Sequence, residues 1–253
     1  MLKKILFSCI LFVIFNTLVI SQDYTKNCLE PVIMLQNDSK DMTGSAVIID
    51  CRPLEDGNYL NILFTCDHVL NANMNAITMK YDQGFVDEDK NFVIQPIYRN
   101  EPKDLAIAIF ISEKFMPTAS TDMENMPKIK DHVFAIGCGM GEPPRFTEGV
   151  VTNLGSKKQP YNTIQTNIYI VPGDSGSPLY YKNKIIGITS AIRSYTHAGK
   201  TYAANGISMF KPIKILKPIL ESDRFKFILK HQNPYPKILA EYVWIKNAKL
   251  STD

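Results

Sequence analysis

The sequence is poor in the side chains that bind metals and move protons. Its 253 residues include four histidines and five cysteines, and these form no CxxC or HxxxH pair. Structural zinc sites are commonly built from such closely spaced pairs, so a zinc protein is not predicted. Nothing else in the sequence indicates an organic cofactor, and we expect the protein to need neither a metal nor a cofactor.

An excess of charge of one sign is also missing. The chain carries 28 basic and 25 acidic residues, and no basic run is longer than a few residues. Without Lys3 and Lys4, which belong to the amino-terminal segment described next, the net charge falls to about +1. A nearly neutral chain provides no electrostatic attraction for nucleic acid or for an anionic membrane, so neither is a predicted partner.

The amino terminus has the composition of a secretory signal. Lys3 and Lys4 precede an apolar run, and Val19 and Ser21 stand at the positions that a signal peptidase reads. We predict that residues 1–21 are removed and that the mature chain is secreted or periplasmic, without stable membrane association. The alternative is an uncleaved membrane anchor, although an apolar run of about 16 residues is just short of a span.

Four cysteines remain after that cleavage: Cys28, Cys51, Cys66 and Cys138. Disulfides form in exported proteins, and four cysteines allow three pairings. Cys51 and Cys66 stand at the ends of two adjacent strand-like runs and are therefore the favoured pair. The alternative is that all four are free, buried thiols.

Long amphipathic helical patterns are missing until the end of the chain, and short β-like segments recur instead. Turn residues separate these segments, for example at 55–58 and 182–184. The segments cover residues 31–35, 44–50, 59–66, 75–81, 91–98, 105–111, 132–137, 148–155, 163–170, 177–181 and 184–192. Many short strands spaced by turns predict an all-β sandwich or barrel.

A polar stretch at 112–131, with two prolines and few strand formers, is the best candidate for a linker. It divides the predicted domain, residues 22–222, into two strand-rich lobes of similar size. From about Lys211, spaced apolar residues predict a short terminal helix. Residues 223–253 form a C-terminal extension, which we expect to pack against the core.

One serine lies on a glycine-flanked turn, in the stretch VPGDSGSP at 171–178. Serine is a weak nucleophile in water, so Ser175 needs a general base and a third group that orients the base. Histidine is the usual base because its pKa lies near neutral pH. The function of this turn therefore depends on which histidine and which acid are available.

Position distinguishes the four histidines. His68, in TCDHV, follows an apolar strand and precedes a loop, where its ring can face a cleft. His132 opens a strand, His197 lies in a polar loop and His231 lies in the tail. Asp104 stands directly before a strongly apolar strand, where its carboxylate can accept the other ring N–H. Taken singly, His68 and Asp104 are equally consistent with structural roles.

His68, Asp104 and Ser175 follow one another in the order His–Asp–Ser, which is that of chymotrypsin and not of subtilisin or the α/β-hydrolases. TCDHV, DLAIAI and GDSGSP resemble the three catalytic motifs of chymotrypsin-fold serine proteases. The HtrA/Deg branch is the closer likeness. Segments similar to those of that branch run in register from about Gly44 to Ile213, including GSAVIID, EGVVTNLG and IQTNIYIVPGDSGSPL.

This resemblance implies two six-stranded, chymotrypsin-like β-barrels, to which the predicted C-terminal helix and short extension are added. We expect no PDZ domain of the kind that HtrA proteins append, because only about 40 residues follow the last predicted barrel strand. It implies that His68 is the general base, that Asp104 orients it and that Ser175 is the nucleophile. The backbone N–H groups of Gly173 and Ser175 would form the oxyanion hole. Glycine suits that position because it can adopt a conformation that aims its N–H at a developing oxyanion.

The resemblance also locates a substrate pocket. Tyr169, Ile170, Thr189 and Ser190 would wall a modest, mainly apolar cavity with no aspartate at its base, so a preference for Lys or Arg is not expected. Ser177 stands where many relatives have glycine, as it does in bacterial glutamyl endopeptidases. The residues flanking the pocket give no other support for a glutamate preference.

We therefore predict a secreted or periplasmic serine endopeptidase that cleaves proteins or peptides through an acyl-enzyme intermediate. One alternative is a catalytically silent protease fold used for binding. A glutamyl-endopeptidase-like enzyme and a serine esterase are further alternatives. The sequence leaves the cleavage specificity, the physiological substrate and the oligomeric state open.

Overall fold

The computed structural model describes residues 25–226, apart from 38, 40, 72–73, 83–84, 157–158, 198–199 and 224. Within these residues the strands form two antiparallel sheets, which correspond to two lobes. The predicted signal segment 1–21 and most of the predicted extension 223–253 lie outside the described residues. No helix in the described part of the chain is long and apolar enough to cross a membrane.

The first lobe is a seven-stranded sheet with the strand order β5-β4-β1-β2-β3-β7-β6. Its strands are β1 (Val32–Asn37), β2 (Thr43–Pro53), β3 (Tyr59–Thr65), β4 (Met74–Asp82), β5 (Phe85–Val93), β6 (Gln95–Asn100) and β7 (Leu105–Ser112). The sheet is curved: the ring centroids of Phe92 on β5 and Phe110 on β7 are 5.1 Å apart, although these two strands are not neighbours in the sheet. The first six residues of β7 are all buried, which explains its continuous apolar run.

The second lobe is a closed six-stranded barrel with the order β10-β13-β12-β11-β8-β9. Its strands are β8 (His132–Gly137), β9 (Arg145–Ser156), β10 (Gln159–Thr166), β11 (Pro178–Tyr181), β12 (Lys184–His197) and β13 (Lys200–Pro212). The predicted all-β, two-lobed fold is confirmed. The first lobe has one strand more than the six predicted, since the apolar run at 91–98 is divided at Ile94 between β5 and β6.

Residues 113–131 connect the two sheets and are hydrogen-bonded to both. The amide of Ala119 donates to the carbonyl of Ile48 on β2 at 2.9 Å. The carbonyl of Ser120 accepts from the amide of Ile185 on β12 at 2.8 Å, and the carbonyl of Ile185 accepts from the amide of Asp122 at 2.8 Å. This connection therefore ties one lobe to the other.

The end of the described chain forms the short helix that its apolar spacing predicts. A 3-10 turn, Ile213–Leu216, leads directly into an α-helix of one turn, Lys217–Leu220. Ile213 and Leu216 are fully buried in the larger core cluster, which also contains the apolar residues of the first lobe. Residues 213–220 thus pack on the core, while the packing predicted for the extension 223–253 stays a prediction.

The four cysteines of the described residues are free thiols, and the predicted Cys51–Cys66 disulfide is wrong. The register of the β2–β3 hairpin places Cys51 opposite Asn61. Cys66 lies five residues further along, about 17 Å away at ~3.4 Å per residue, whereas a disulfide requires Cα atoms within about 7 Å. The Cys51 sulfur instead accepts a hydrogen bond from the amide of Met116 at 3.3 Å.

Candidate active site

His68 lies on a 3-10 turn, Asp67–Asn71, directly after β3. Its Nδ1 is 2.9 Å and 3.0 Å from the two carboxylate oxygens of Asp104, and its backbone N–H donates to Oδ1 of Asp104 at 3.1 Å. A carboxylate that accepts the Nδ1–H fixes the tautomer in which Nε2 is unprotonated. The structure therefore brings together the predicted base and its orienting acid, with an unprotonated Nε2 that lies 3.7 Å from the sulfur of Cys66.

The electrostatics of this pair favour a basic histidine. The hydrogen bond to Asp104 raises the pKa of His68, burial opposes this rise, and the charge of Asp104 adds to it. For Asp104, burial raises the carboxyl pKa, but the hydrogen bonds from His68 and Ser190 outweigh burial and hold that pKa below its ordinary value. Asp104 thus stays ionised and stabilises the imidazolium that forms when His68 takes up a proton.

The turn that precedes β7 sets the direction of the Asp104 side chain. It follows a 3-10 turn, Glu101–Lys103, and has the left-handed conformation, with φ 51° and ψ 50°. Among non-glycine residues, aspartate is one of the few that adopt this region readily. Asn100 caps the turn, since its side-chain oxygen accepts from the amide of Lys103 at 3.2 Å.

An ion pair fixes the turn that carries His68. The carboxylate of Asp67, which is 5% exposed, accepts from Nε and Nη2 of Arg99 at 2.8 Å and 3.0 Å, and Nη2 also donates to the Asp67 carbonyl at 3.1 Å. Such a forked contact is directional as well as strong. Because Arg99 adjoins Asn100, one segment of β6 positions both His68 and Asp104. The sequence analysis did not identify either Arg99 or Asn100.

The Ser175 turn depends on glycine at two positions where φ is positive. Gly173 has φ 96°, and a Cβ there would lie 2.7 Å from the carbonyl oxygen of Cys138. Gly176 has φ 90°, and a Cβ there would lie 2.0 Å from the carbonyl oxygen of Ser45. Both the backbone conformation and the space exclude side chains at these sites. The glycines on either side of Ser175 are therefore steric requirements of the turn.

Backbone hydrogen bonding alternates along this turn. The amides of residues 174, 176 and 177 donate to backbone carbonyls at 2.8–3.0 Å. The amides of Gly173 and Ser175 have no acceptor among the residues that the structure describes. Two unpaired N–H groups beside a serine hydroxyl can bind the oxyanion of a tetrahedral intermediate.

Ser45 of β2 holds the serine turn from the opposite lobe. Its amide donates to the carbonyl of Ser175 at 2.7 Å, and its hydroxyl donates to the carbonyl of Gly173 at 2.8 Å. The same hydroxyl accepts from the amide of Cys138 at 2.8 Å. Ser45 is buried, and all of these bonds cross between the lobes. From the sequence, Ser45 is predicted only to lie on a strand, and its role in the site is visible only in the structure.

Ser190 links the two halves of the site. The amide of Gly176 donates to the carbonyl of Thr189 on β12 at 2.8 Å. The next residue, Ser190, donates its hydroxyl proton to Oδ2 of Asp104 at 2.5 Å. Within the described residues no hydrogen bond joins the Ser175 hydroxyl to His68, whose Nε2 lies 3.7 Å from the sulfur of Cys66. Catalytic hydrogen bonds are often long until substrate binds.

The four residues predicted to wall a substrate pocket differ in their surroundings. Tyr169 is 60% exposed, whereas Ile170 is buried. The hydroxyl of Thr189 is hydrogen-bonded to that of Ser177 at 2.6 Å, and the Ser190 hydroxyl is bonded to Asp104. Both hydroxyls thus have partners within the protein, and the substrate-binding role of the four residues stays a prediction.

One group of side chains has the donor atoms for a metal ion. The sulfur of Cys66, a ring nitrogen of His68 and a carboxylate oxygen of Asp104 lie within 4.8 Å of one another. Zinc binds the thiolate form of cysteine. Burial raises the pKa of the Cys66 thiol far above its ordinary value, which disfavours that form. The hydrogen bonds of His68 and Asp104 suit proton transfer better than metal binding.

Two β-lobes, with a histidine–aspartate pair from the first beside a serine turn of the second, define the chymotrypsin-type class of proteins. Residues 44–188, more than half of the chain, match the family model described as "Trypsin-like peptidase domain". The chain belongs to this family of trypsin-like peptidases.

Curated relatives point to the same branch as the sequence motifs. A "Probable periplasmic serine endoprotease DegP-like" of Pseudomonas savastanoi pv. phaseolicola is 34% identical over 117 residues, which cover 44% of this chain and 23% of the relative. "Putative protease Do-like 14" of Arabidopsis thaliana is 28% identical over 192 residues, which cover 70% of this chain and 40% of the relative. The chain therefore spans less than half the length of these relatives.

Solved structures agree on the fold. The serine endoprotease from Yersinia pestis superposes with a TM-score of 0.57 at 20% identity, covering 79% of this chain and 65% of that one. The HtrA-type protease AlgW with tripeptide gives a TM-score of 0.60 at 22% identity, covering 79% of this chain and 62% of that one. The predicted chymotrypsin-like fold and the resemblance to the HtrA/Deg protease domain are confirmed.

Proposed function

We propose that this chain is a serine endopeptidase in which Ser175 is the nucleophile, His68 the general base and Asp104 its orienting acid. The observation that carries the proposal is the bonded Asp104–His68 pair, connected through Ser190 to a turn whose Gly173 and Ser175 amides are unpaired. Geometry and charge both suit acyl transfer.

The reaction follows from the positions of these groups. Nε2 of His68 removes the proton of the Ser175 hydroxyl as its oxygen bonds to the carbonyl carbon of the substrate. The carbonyl oxygen becomes an oxyanion, to which the Gly173 and Ser175 amides donate. His68 then protonates the leaving amine, the C–N bond breaks and an acyl-enzyme remains. Water, deprotonated by His68, attacks the ester and releases Ser175.

The substrates that we propose are proteins or peptides. An apolar side chain preceding the scissile bond would lie near Tyr169 and Ile170, which offer no charged group to a basic residue. We also propose that the enzyme acts outside the cytoplasm. The signal-like residues 1–21 and the word "periplasmic" in the names of several relatives support this location.

A fluorophosphonate probe tests the nucleophile directly, because it phosphonylates activated serines. We expect the wild-type protein to be labelled and Ser175→Ala to remain unlabelled. Ser177→Ala is the matched control, since Ser177 lies on the same turn but its hydroxyl is buried against Thr189. Two results would contradict the assignment of Ser175 as the nucleophile. One is labelling of Ser175→Ala, and the other is a folded Ser177→Ala that is not labelled while Ser175→Ala is.

A protease fold used only for binding is the second candidate. One observation favours it: Nε2 of His68 lies against Cys66, and no hydrogen bond to Ser175 is present in the described residues. In that case the folded wild-type protein would resist the probe while still binding peptides. Peptide-library cleavage, followed by mass spectrometry of the products, distinguishes the two functions and also reads out specificity.

A further inference from the structure

Beneath the serine turn, a buried carboxylate is paired with an arginine that the mechanism above does not use. Asp174 is 4% exposed, and its Oδ2 accepts from Nη2 of Arg145 at 2.5 Å and from the amide of Val171 at 2.8 Å. Burial raises the pKa of Asp174, while the Val171 amide and the Arg145 guanidinium act in the opposite direction. A charge in such a place is tolerated only when it has a partner.

The chain closes tightly around this ion pair. A Cβ at Gly137 would lie 2.7 Å from Oδ1 of Asp174, and a Cβ at Gly139 would lie 2.8 Å from the same oxygen. The Gly139 Cβ would also lie 2.8 Å from Nε of Arg145. Oδ1 has no hydrogen-bond partner among the described residues. The Gly139 amide makes the smallest contribution to lowering the pKa of Asp174, so the position of this carboxylate depends mainly on Arg145 and on the Val171 amide.

The ion pair joins the two segments that set the direction of the Gly173 amide. Arg145 begins β9 just after the 3-10 turn Gly139–Gly141, and within that turn the Met140 amide donates to the carbonyl of Pro172 at 2.6 Å. The described peptide bonds are all trans, so the N–H of Gly173 points away from the Pro172 carbonyl and from Met140. Rotation of this peptide would turn the N–H inward and destroy the hole.

We infer that Arg145 is a positioning residue, whose ion pair with Asp174 holds the Gly173 amide in the direction that the oxyanion hole requires. This inference rests on the function proposed above. Without Arg145 the buried carboxylate would lack its counter-charge, and the turn would shift to bring Asp174 to water, carrying Gly173 with it. Both partners belong to the second lobe, so the hole needs no charge from outside that lobe.

Kinetics of four variants test this role. Arg145→Met removes the charge, and we expect kcat to fall about 100-fold with little change in KM, as for the loss of an oxyanion donor. Arg145→Lys keeps the charge and should recover at least about a tenth of the wild-type kcat. Arg145→Met combined with Asp174→Asn removes the uncompensated charge and should be more active than Arg145→Met alone. Arg52→Met, which breaks a half-buried arginine–aspartate pair on β2 far from the serine turn in sequence, is the matched control, and its kcat should be unchanged.

Hydrogen exchange tests whether Arg145 holds the serine turn, and it does not depend on catalysis. In a Ser175→Ala background, Arg145→Met should speed exchange at the amides of Met140 and Asp174, while amides of β8 and β12 stay protected. Unchanged kcat together with unchanged exchange would overturn the inference. Faster exchange throughout the second barrel would also overturn it, because Arg145 would then stabilise the lobe as a whole. An inactive wild-type protein would refute the proposed function, whereas the exchange measurement would still decide whether the ion pair holds the turn.

Discussion

His68 and the Ser175 turn are held in place by different kinds of contact. On the side of the first lobe, charged and polar side chains orient the histidine, through the Arg99–Asp67 ion pair and the carboxylate of Asp104. On the side of the second lobe, backbone hydrogen bonds and glycines shape the turn, and side chains enter only through the buried Asp174–Arg145 pair and the Ser45 hydroxyl. A group that moves a proton must have its ring direction and pKa set, which side chains do. A site that binds an oxyanion must have amides aimed, which backbone geometry does.

Removing one proposed reacting group from each side of the site should have the largest effect on activity. His68→Ala and Ser175→Ala should each lower kcat by about 10⁶-fold, and the double variant should be no worse than either, because the two act as a unit. Hydrolysis of a peptide selected from the library provides the rates. Additive losses, or a His68→Ala enzyme of near wild-type activity, would contradict the shared mechanism.

Asp104→Asn disturbs only the side-chain half of the site. We expect kcat to fall by about 10⁴-fold, because the amide favours the wrong tautomer of His68. Asp104 raises the pKa of His68 above its ordinary value of 6.5, and activity requires the neutral ring. The residual activity of the variant should therefore extend to lower pH than that of the wild type. A pH profile of kcat/KM measures the shift, and an acid limb that stays in place would contradict it.

Gly176→Ala disturbs only the backbone half. The added Cβ would meet the carbonyl oxygen of Ser45 and the hydroxyl of Thr65, so we expect at least about a 100-fold loss of kcat and about 3 kcal/mol of stability. Gly57→Ala is the matched control, since Gly57 also has a positive φ, 87°, but nothing lies within 4 Å of its Cβ position. It should cost about 1 kcal/mol and leave activity unchanged. Urea unfolding measures the stability of each variant, and the peptide assay measures its activity. Because Gly57→Ala carries only the cost of the positive φ, any larger loss in Gly176→Ala is due to the steric clash.

Ser190→Ala tests the contact at which the two halves of the site meet. Loss of its hydrogen bond removes one of the causes that keep the pKa of Asp104 low, and we expect about a tenfold fall in kcat. KM should remain within about twofold if Ser190 supports Asp104. A large rise in KM with kcat unchanged would show instead that Ser190 binds substrate, as the sequence analysis predicted.

Sequence motifs point to the proposed reacting groups but not to the residues that support them. His68, Asp104 and Ser175 stand in local motifs that resemble those of a known family, and the structure brings the first two into contact. Ser45 lies in the family-like segment GSAVIID, but neither its role nor that of Arg145 is visible there, because both depend on partners distant in sequence, at Gly173 and Asp174. Arg99 escaped notice for the same reason. Contacts between residues that are far apart in the chain produce no recognisable pattern in a single sequence.

Two details of the predicted fold were wrong, and both concern where strands pair or end. Cys51 and Cys66 each stand at the end of a strand-like run, and these two runs are neighbours in the sequence. For that reason they were predicted to lie side by side. In an antiparallel hairpin, however, residues at the turn end of one strand face the turn end of the other, and Cys51 pairs with Asn61 while Cys66 lies at the far end. The extra strand of the first lobe arises similarly, because a break at Ile94 within a continuous apolar run is not visible from its residues.

The bonds that Ser45 makes across the lobes have a consequence for biosynthesis. Its amide and hydroxyl bind the carbonyls of Ser175 and Gly173, so the nucleophile turn acquires its shape only when the first lobe is docked on the second. A chain with only one lobe folded would have the reactive serine but no assembled centre. If the chain has the function proposed above, its activity reports the completion of folding, and a half-folded chain is unable to cut its neighbours.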